Sequence, residues 1–178
     1  MDKEMPVRKK IRLEGHDYSK NGAYYVTFCV ENRYEILGKI VGSGFHARPS
    51  VELSDIGIET QKSIEYICEN DERIEIPKYV IMPDHVHMIV VLKDGAIGHD
   101  VGGAVGHGSP TLQSAVGRIK SYTTKRWSDM CGTKHQSFWQ SRFHDRIIRN
   151  ENEYWEKWQY IDDNPAKWAQ ERYQDHDQ

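Results

Sequence analysis

Apolar positions along the chain alternate between two periods, and the changes of period mark its elements. "AYYVTFCV" (23–30) is dense in β-branched and aromatic residues and follows the turn pair Asn21-Gly22, so it predicts a buried strand. A weaker strand pair is expected around 34–41 and 51–53, flanking "GSGFHARPS". "SDIGIETQKSIEYICEN" then changes to helical spacing, opened by Ser54 or Asp55. "RIEIPKYVIMP" and "HVHMIVVL" return to strand and complete an antiparallel sheet of about four or five strands. The second run is apolar on both faces, which makes it a central member.

Residues 93–110, "KDGAIGHDVGGAVGHGSP", hold six glycines without periodicity and predict a mobile loop, with His99 and His107 solvated. "TLQSAVGRIKSYTTKRWSDM" (111–130) follows as a helix capped by Ser109 or Thr111. The last element starts at Asn150, which with Glu153 has the spacing of an N-terminal capping box, and is expected to close at Pro165. On its wheel Tyr154, Trp155, Trp158 and Ile161 fall within about 120° and form the expected core face. Tyr160 and Asn164 share a different face, with Asn164 on the last turn before the proline. Strands and helices in this order give an α+β fold in a single domain over 1–178.

Composition changes this picture in three places. The formal net charge is −3, yet residues 112–149 carry Arg118, Lys120, Lys125, Arg126, Lys134, Arg142, Arg146 and Arg149 against only Asp129 and Asp145. Such a basic middle beside an acidic tail fits either a surface that meets phosphates on one side or an ordinary solvated helix face. Cys29, Cys68 and Cys131 are odd in number and in no C-x-x-C pattern, which argues against a disulfide framework and a thiolate zinc site and suits a reducing cytoplasm. No run approaches the roughly 18 apolar residues of a membrane span, and "RKKIR" lies in a basic N-terminal arm over about 1–20 that is expected to be flexible.

The candidate chemistry starts at "MPDHVHMIV" (82–90), which places His85 and His87 on one face of a strand, where two imidazoles can close on one divalent ion. With 9 His in 178 residues, chance supplies about 0.45 such pairs, so the spacing alone favours a pair of ordinary strand histidines. Asp84 is either a carboxylate that orients a histidine or a residue of the strand-end turn. The decision rests on the rest of the chain. "MPDHVHMIVVL", "FWQSRFHDRIIRNENEY" and "YIDDNPAKW" together resemble the REP-associated tyrosine transposases, members of the HUH single-strand DNA transposases with one nucleophilic tyrosine.

The resemblance spans nearly the whole chain and implies a core of HUH, ferredoxin-like or RRM-like type. By position it makes His85 and His87 metal ligands, Tyr160 the nucleophile and Asn164 the third ligand, where related insertion-sequence enzymes carry Gln. The expanded glycine-rich loop departs from the family's pattern. The implied reaction is nicking and joining of single-stranded DNA through a 5′-phosphotyrosine, with a hairpin-forming repeat as partner, in a monomer or homodimer. A phenol with an ordinary pKa near 10 is a weak nucleophile, so a polarised phosphate answers a chemical need. The N/O ligand set suits Mg²⁺ or Mn²⁺. Arg118, Lys120, Lys125, Arg126, Arg142 and Arg146 are the candidate DNA-backbone contacts, and Trp127 and Trp139 either stack on bases or pack in the core. The alternative function is a hairpin-binding protein of the same fold that does not cleave; a water-activating metal hydrolase is the third reading.

Overall fold

The computed structural model describes residues 22–42, 48–93, 111–133 and 137–175. The basic arm expected at 1–20, and the glycine-rich loop beyond Lys93 with His99 and His107, lie outside them. Among the described residues six strands and three α-helices follow in order: β1 (Gly22–Cys29), β2 (Gly38–Val41), β3 (Ser50–Leu53), α1 (Asp55–Asn70), β4 (Ile74–Ile81), β5 (His85–Leu92), α2 (Leu112–Cys131), β6 (His144–Ile148) and α3 (Glu151–Asp175). The main sheet has the order β4-β5-β1-β6 with antiparallel neighbours throughout, an α+β architecture of the expected class. Among the described residues no helix is long and apolar enough to cross a membrane.

Two details of the sheet differ from expectation. The strands around 34–41 and 51–53 do not join it; β2 and β3 pair with each other as a separate two-stranded sheet. The fourth strand is instead β6, whose sequence "HDRII" shows no apolar run because an edge strand needs little burial. At the opposite edge β4 accommodates Pro77 where its register with β5 shifts between Glu75 and Lys78, since an edge strand can spare one donor.

The sheet's two faces have separate fillings. Tyr24, Val26 and Phe28 of β1 and Val86, Met88, Val90 and Leu92 of β5 are fully buried on one face. They form the main core with Ile56, Ile64 and Ile67 of α1 and Leu112, Ala115, Val116 and Ile119 of α2. Trp139 belongs to this core, 3% exposed, with its indole N–H donated to Thr123 Oγ1 at 2.8 Å, and Trp127 packs on Phe138 at its margin. Trp139 thus serves packing, and Trp127 is half-buried at the edge of the core. The other face carries Tyr25, Thr27, His85 and His87, and α3 packs across it on β4 and β5.

Local signals set the helix starts. Ser54 caps α1, its Oγ accepting from Gly57 N at 3.2 Å. Thr111, not Ser109, caps α2 through a reciprocal pair of bonds with Ser114. Asn150 Oδ1 accepts from Glu153 N at 2.9 Å, while Glu153 reaches back to the Arg149 N–H, one residue beyond the expected partner.

The end of α3 requires correction, because the helix passes through Pro165 and continues to Asp175. A proline inside a helix removes one i→i−4 bond and crowds the preceding turn, a cost that tertiary packing can offset. Here Pro165 is buried between Asn164 and the rest of the turn, and Ala169 further on is buried too. The expected core face is also rotated: Ile161 is 1% exposed but Trp155 is 55% exposed, because Ile161, Asn164 and Ala169 face inward.

Candidate active site

His85 and His87 open β5 next to β1, opposite Cys29 and Thr27 in the antiparallel register. Strand alternation sends both imidazoles to the α3 side, and their Nε2 atoms lie 2.9 Å apart. Each ring is held at its other nitrogen. His85 Nδ1 is 2.5 Å from Asp84 Oδ1, and Asp84 Oδ2 takes an ion pair from Arg33 Nε at 2.7 Å. Asp84 therefore acts as the orienting carboxylate. His87 Nδ1 is 2.8 Å from the Tyr25 hydroxyl and 2.6 Å from Thr27 Oγ1.

Electrostatics favour the ligand form of this pair. Burial, with the neighbouring His85 as the second cause, pushes the His87 pKa down to about 3, so its ring is neutral at ordinary pH. Burial also holds the Tyr25 hydroxyl well above the usual phenol range, so a neutral phenol stands beside His87 Nδ1. With Asp84 at the other nitrogen of its ring, His85 turns Nε2 toward His87 Nε2. The narrow gap between the two nitrogens then suits one proton or one cation.

Arg33 reaches Asp84 from an unusual backbone. Asn32 and Arg33 both adopt left-handed dihedrals, φ 53° and 58°, in the short 3-10 turn after β1. Such residues carry a steric cost of about 1–2 kcal/mol each. The turn brings Arg33 onto both Asp84 and Cys29 Sγ, to which its Nη1 donates at 2.8 Å.

The α3 helix supplies the rest. The Tyr160 ring stands edge-on to His87 at a centroid distance of 5.4 Å and to Tyr25 at 6.0 Å. One turn later Asn164 is 6% exposed, and Trp168 lies 5.6 Å from His85. Thr27, Arg33, His85, His87, Tyr160, Asn164, Lys167, Trp168 and Glu171 line one open pocket of about 320 Å³. The continuation of α3 past Pro165 is what gives Asn164 a buried mid-helix position instead of a frayed end.

His85, His87, Tyr160 and Asn164 thus meet at one place, within one chain. Among the described residues no three His, Cys, Asp or Glu side chains gather as a metal cluster, so a cation here would combine the two Nε2 atoms with the amide oxygen of Asn164. The convergent imidazoles and the buried amide fit such an ion, and the pocket leaves room for water or phosphate oxygen.

The basic candidates lie elsewhere. α2 packs on the opposite face of the sheet, and three of its four cations engage the chain itself. Arg118 pairs with Asp71 at 3.3 Å and Arg126 with Glu59 at 3.0 Å. The Lys120 ammonium donates to the carbonyls of Gln140 and Arg142 at 2.8 and 3.0 Å, and burial pushes its pKa down to about 8. Arg146 pairs with Glu153 at 3.4 Å, whereas Lys125 and Arg142 are exposed and form no ion pair among the described residues. The sequence reading did not single out Arg33, Tyr25, Lys157, Lys167 or Trp168. Spacing from Tyr160 on one helix could have pointed to the two lysines; no local signal marks Arg33, which arrives through the fold.

Known proteins of similar shape can be set beside this geometry. A solved REP-associated tyrosine transposase bound to a REP hairpin superposes with a TM-score of 0.56, at 23% identity, over 88% of this chain and 73% of that one. The two chains share a fold. A candidate transposase from Deinococcus radiodurans is a looser match, with a TM-score of 0.46, 14% identity, and coverage of 85% of this chain and 97% of that one. In sequence, an uncharacterised protein of Haemophilus influenzae is 27% identical over 177 residues, covering 93% of this chain and 92% of its own length. No family model matches the chain.

Proposed function

We propose that this protein is a metal-dependent, transposase-type enzyme that nicks and rejoins single-stranded DNA through Tyr160. The observation that carries the reading is the placement of Tyr160 against His87 in the pocket that also holds His85 and Asn164. A tyrosine used for packing would lie with Ile161 toward the core, whereas Tyr160 is 39% exposed beside a pair of buried imidazoles.

In the proposed reaction the Tyr160 hydroxyl oxygen attacks phosphorus and the bond from phosphorus to the 3′-oxygen breaks. The phenol gives up its proton to solvent and the departing 3′-oxygen takes one, leaving a 5′-phosphotyrosine and a free 3′-hydroxyl. The same exchange in reverse joins another 3′-end, with the bond energy kept in the ester. Mg²⁺ or Mn²⁺, held by His85, His87 and Asn164, supplies Lewis acidity to the scissile phosphate when bound. Asp84 and Arg33 fix the His85 ring, and Thr27 and Tyr25 fix the His87 ring, so that both lone pairs stay aimed at one point. Because one chain holds the tyrosine and both histidines, a monomer suffices for the chemistry. The DNA partner is a single strand with a hairpin, supported by the shared fold with a transposase that was solved on such a hairpin.

Labelled single-stranded hairpins, incubated with wild type or Tyr160→Phe in Mn²⁺ or chelator and run on a denaturing gel, test this directly. A covalent adduct that needs both Mn²⁺ and Tyr160 is expected. Hairpin binding without adduct or cleavage would make the protein a non-cleaving binder, and cleavage that survives Tyr160→Phe would make it a water-activating nuclease.

A further inference from the structure

The cations around the pocket fall into two groups. Arg33 is paired with Asp84, and Arg48 and Lys78 at the far side of α3 are both paired with Asp162. Lys157 and Lys167 differ, since neither forms an ion pair among the described residues. Both nevertheless crowd one side chain: the Lys167 ammonium is 5.0 Å from the Tyr160 ring centroid and the Lys157 ammonium is 6.0 Å from it. Lys157 also lies 5.3 Å from the Tyr25 ring, and Lys167 lines the pocket with the histidines.

Two unneutralised ammonium groups beside one phenol need a reason. Cation–π attraction to an exposed ring is worth only about 0.5–1 kcal/mol, too little to explain why both long side chains converge on Tyr160. Glu171, four residues after Lys167 and on the same pocket wall, stands at the spacing of a helical ion pair, yet the pair is not made. What the two ammonium groups lack is an anion within ion-pair distance among the described residues. A phosphodiester would supply it, and lysine, a point charge on a flexible stem, can follow a phosphate as it moves from one oxygen to another.

We propose that Lys157 and Lys167 form a phosphodiester-binding pair around Tyr160. Lys167 holds a non-bridging oxygen of the phosphate that the tyrosine receives, and Lys157 holds the adjacent phosphate on the Tyr25 side. The assignment rests on Tyr160 being the nucleophile. It adds no step to the bond exchange: both lysines remain protonated while the ester moves from the 3′-oxygen to the phenol and back.

Single-turnover adduct formation on a labelled single-stranded hairpin in Mn²⁺, together with the salt dependence of binding, tests the pair in the full-length chain. Lys167→Gln is expected to slow the adduct at least tenfold and Lys157→Gln about threefold, with Lys167→Arg recovering most of the loss. Each Gln variant should also flatten the plot of log binding constant against log salt by about 0.7, the share of one phosphate contact on a single strand. Thermal melting should match wild type, since neither side chain is tied to the fold. An adduct in wild type with unchanged rate and unchanged slope in Lys167→Gln overturns the pair and leaves the nucleophile standing. A slower adduct with an unchanged slope also overturns the phosphate contact. No adduct in wild type overturns the nucleophile itself and the pair with it.

Discussion

Neighbouring residues of β5 occupy two different chemical environments. Val86, Met88 and Val90 enter an apolar core sealed by α1 and α2, while His85 and His87 enter a polar layer under α3, yet all five are buried. On the first side burial stabilises the fold through area removed from water. On the second side burial keeps the His87 imidazole neutral and forces each polar atom to find a partner, which Asp84, Thr27 and Tyr25 provide. The comparison teaches that the same strand can supply rigidity and reactivity when its period-two alternation is not interrupted.

Substitutions on the two faces should separate these roles. Tyr160→Phe is expected to abolish adduct formation, a loss on the order of 10³-fold or more in single-turnover rate, with little change in melting temperature. Adduct at the wild-type rate would break the division between the faces. Met88→Ala, one residue from His87 but on the other face, should act in the opposite sense. It should lower stability by about 2–4 kcal/mol, read as a fall of about 6–12 °C in Tm, with the adduct rate per folded molecule preserved.

Asp84→Asn sharpens the polar side. It removes the charge that holds both the His85 proton and Arg33, and it should weaken Mn²⁺ binding by about 10–100-fold when titrated by electron paramagnetic resonance. Unchanged affinity would reduce Asp84 to a turn residue.

The smallest effect belongs to the core side. Hydrogen bonds from Lys62, Tyr122 and Arg126 lower the Glu59 pKa to about 2 from 4.5. The unfolded chain then binds the proton first, so the contribution of Glu59 is complete above about pH 4.5 and disappears as pH falls toward 2. Glu59→Gln should flatten the stability profile in that window and leave the adduct rate at neutral pH unchanged; a profile that stays as steep would assign the acid sensitivity to another carboxylate.

What could be read from the sequence follows the range of each signal. His85 and His87 were legible because alternation is local, and Tyr160 with Asn164 because four residues make one helical turn. Ser54 and Thr111 announced their helices by the same short-range logic. Pro165 misled because its local cost is real and only the packed surroundings of α3 offset it. β6 was missed because "HDRII" gains its strand character from pairing with β1, an interaction across more than 110 residues. By count the α2 cations fit either a phosphate-facing surface or a solvated helix face. Their acidic and carbonyl partners, Asp71, Glu59, Gln140 and Arg142, come from other elements and could not be seen along the helix.

The order of elements also has a temporal meaning. The histidines stand on β5, but the tyrosine that meets them stands on α3, after every other described element. A ribosome therefore makes the paired imidazoles well before it makes Tyr160. On the proposed mechanism a chain stopped before α3 lacks Tyr160, and the capacity to cut comes only once α3 has been made.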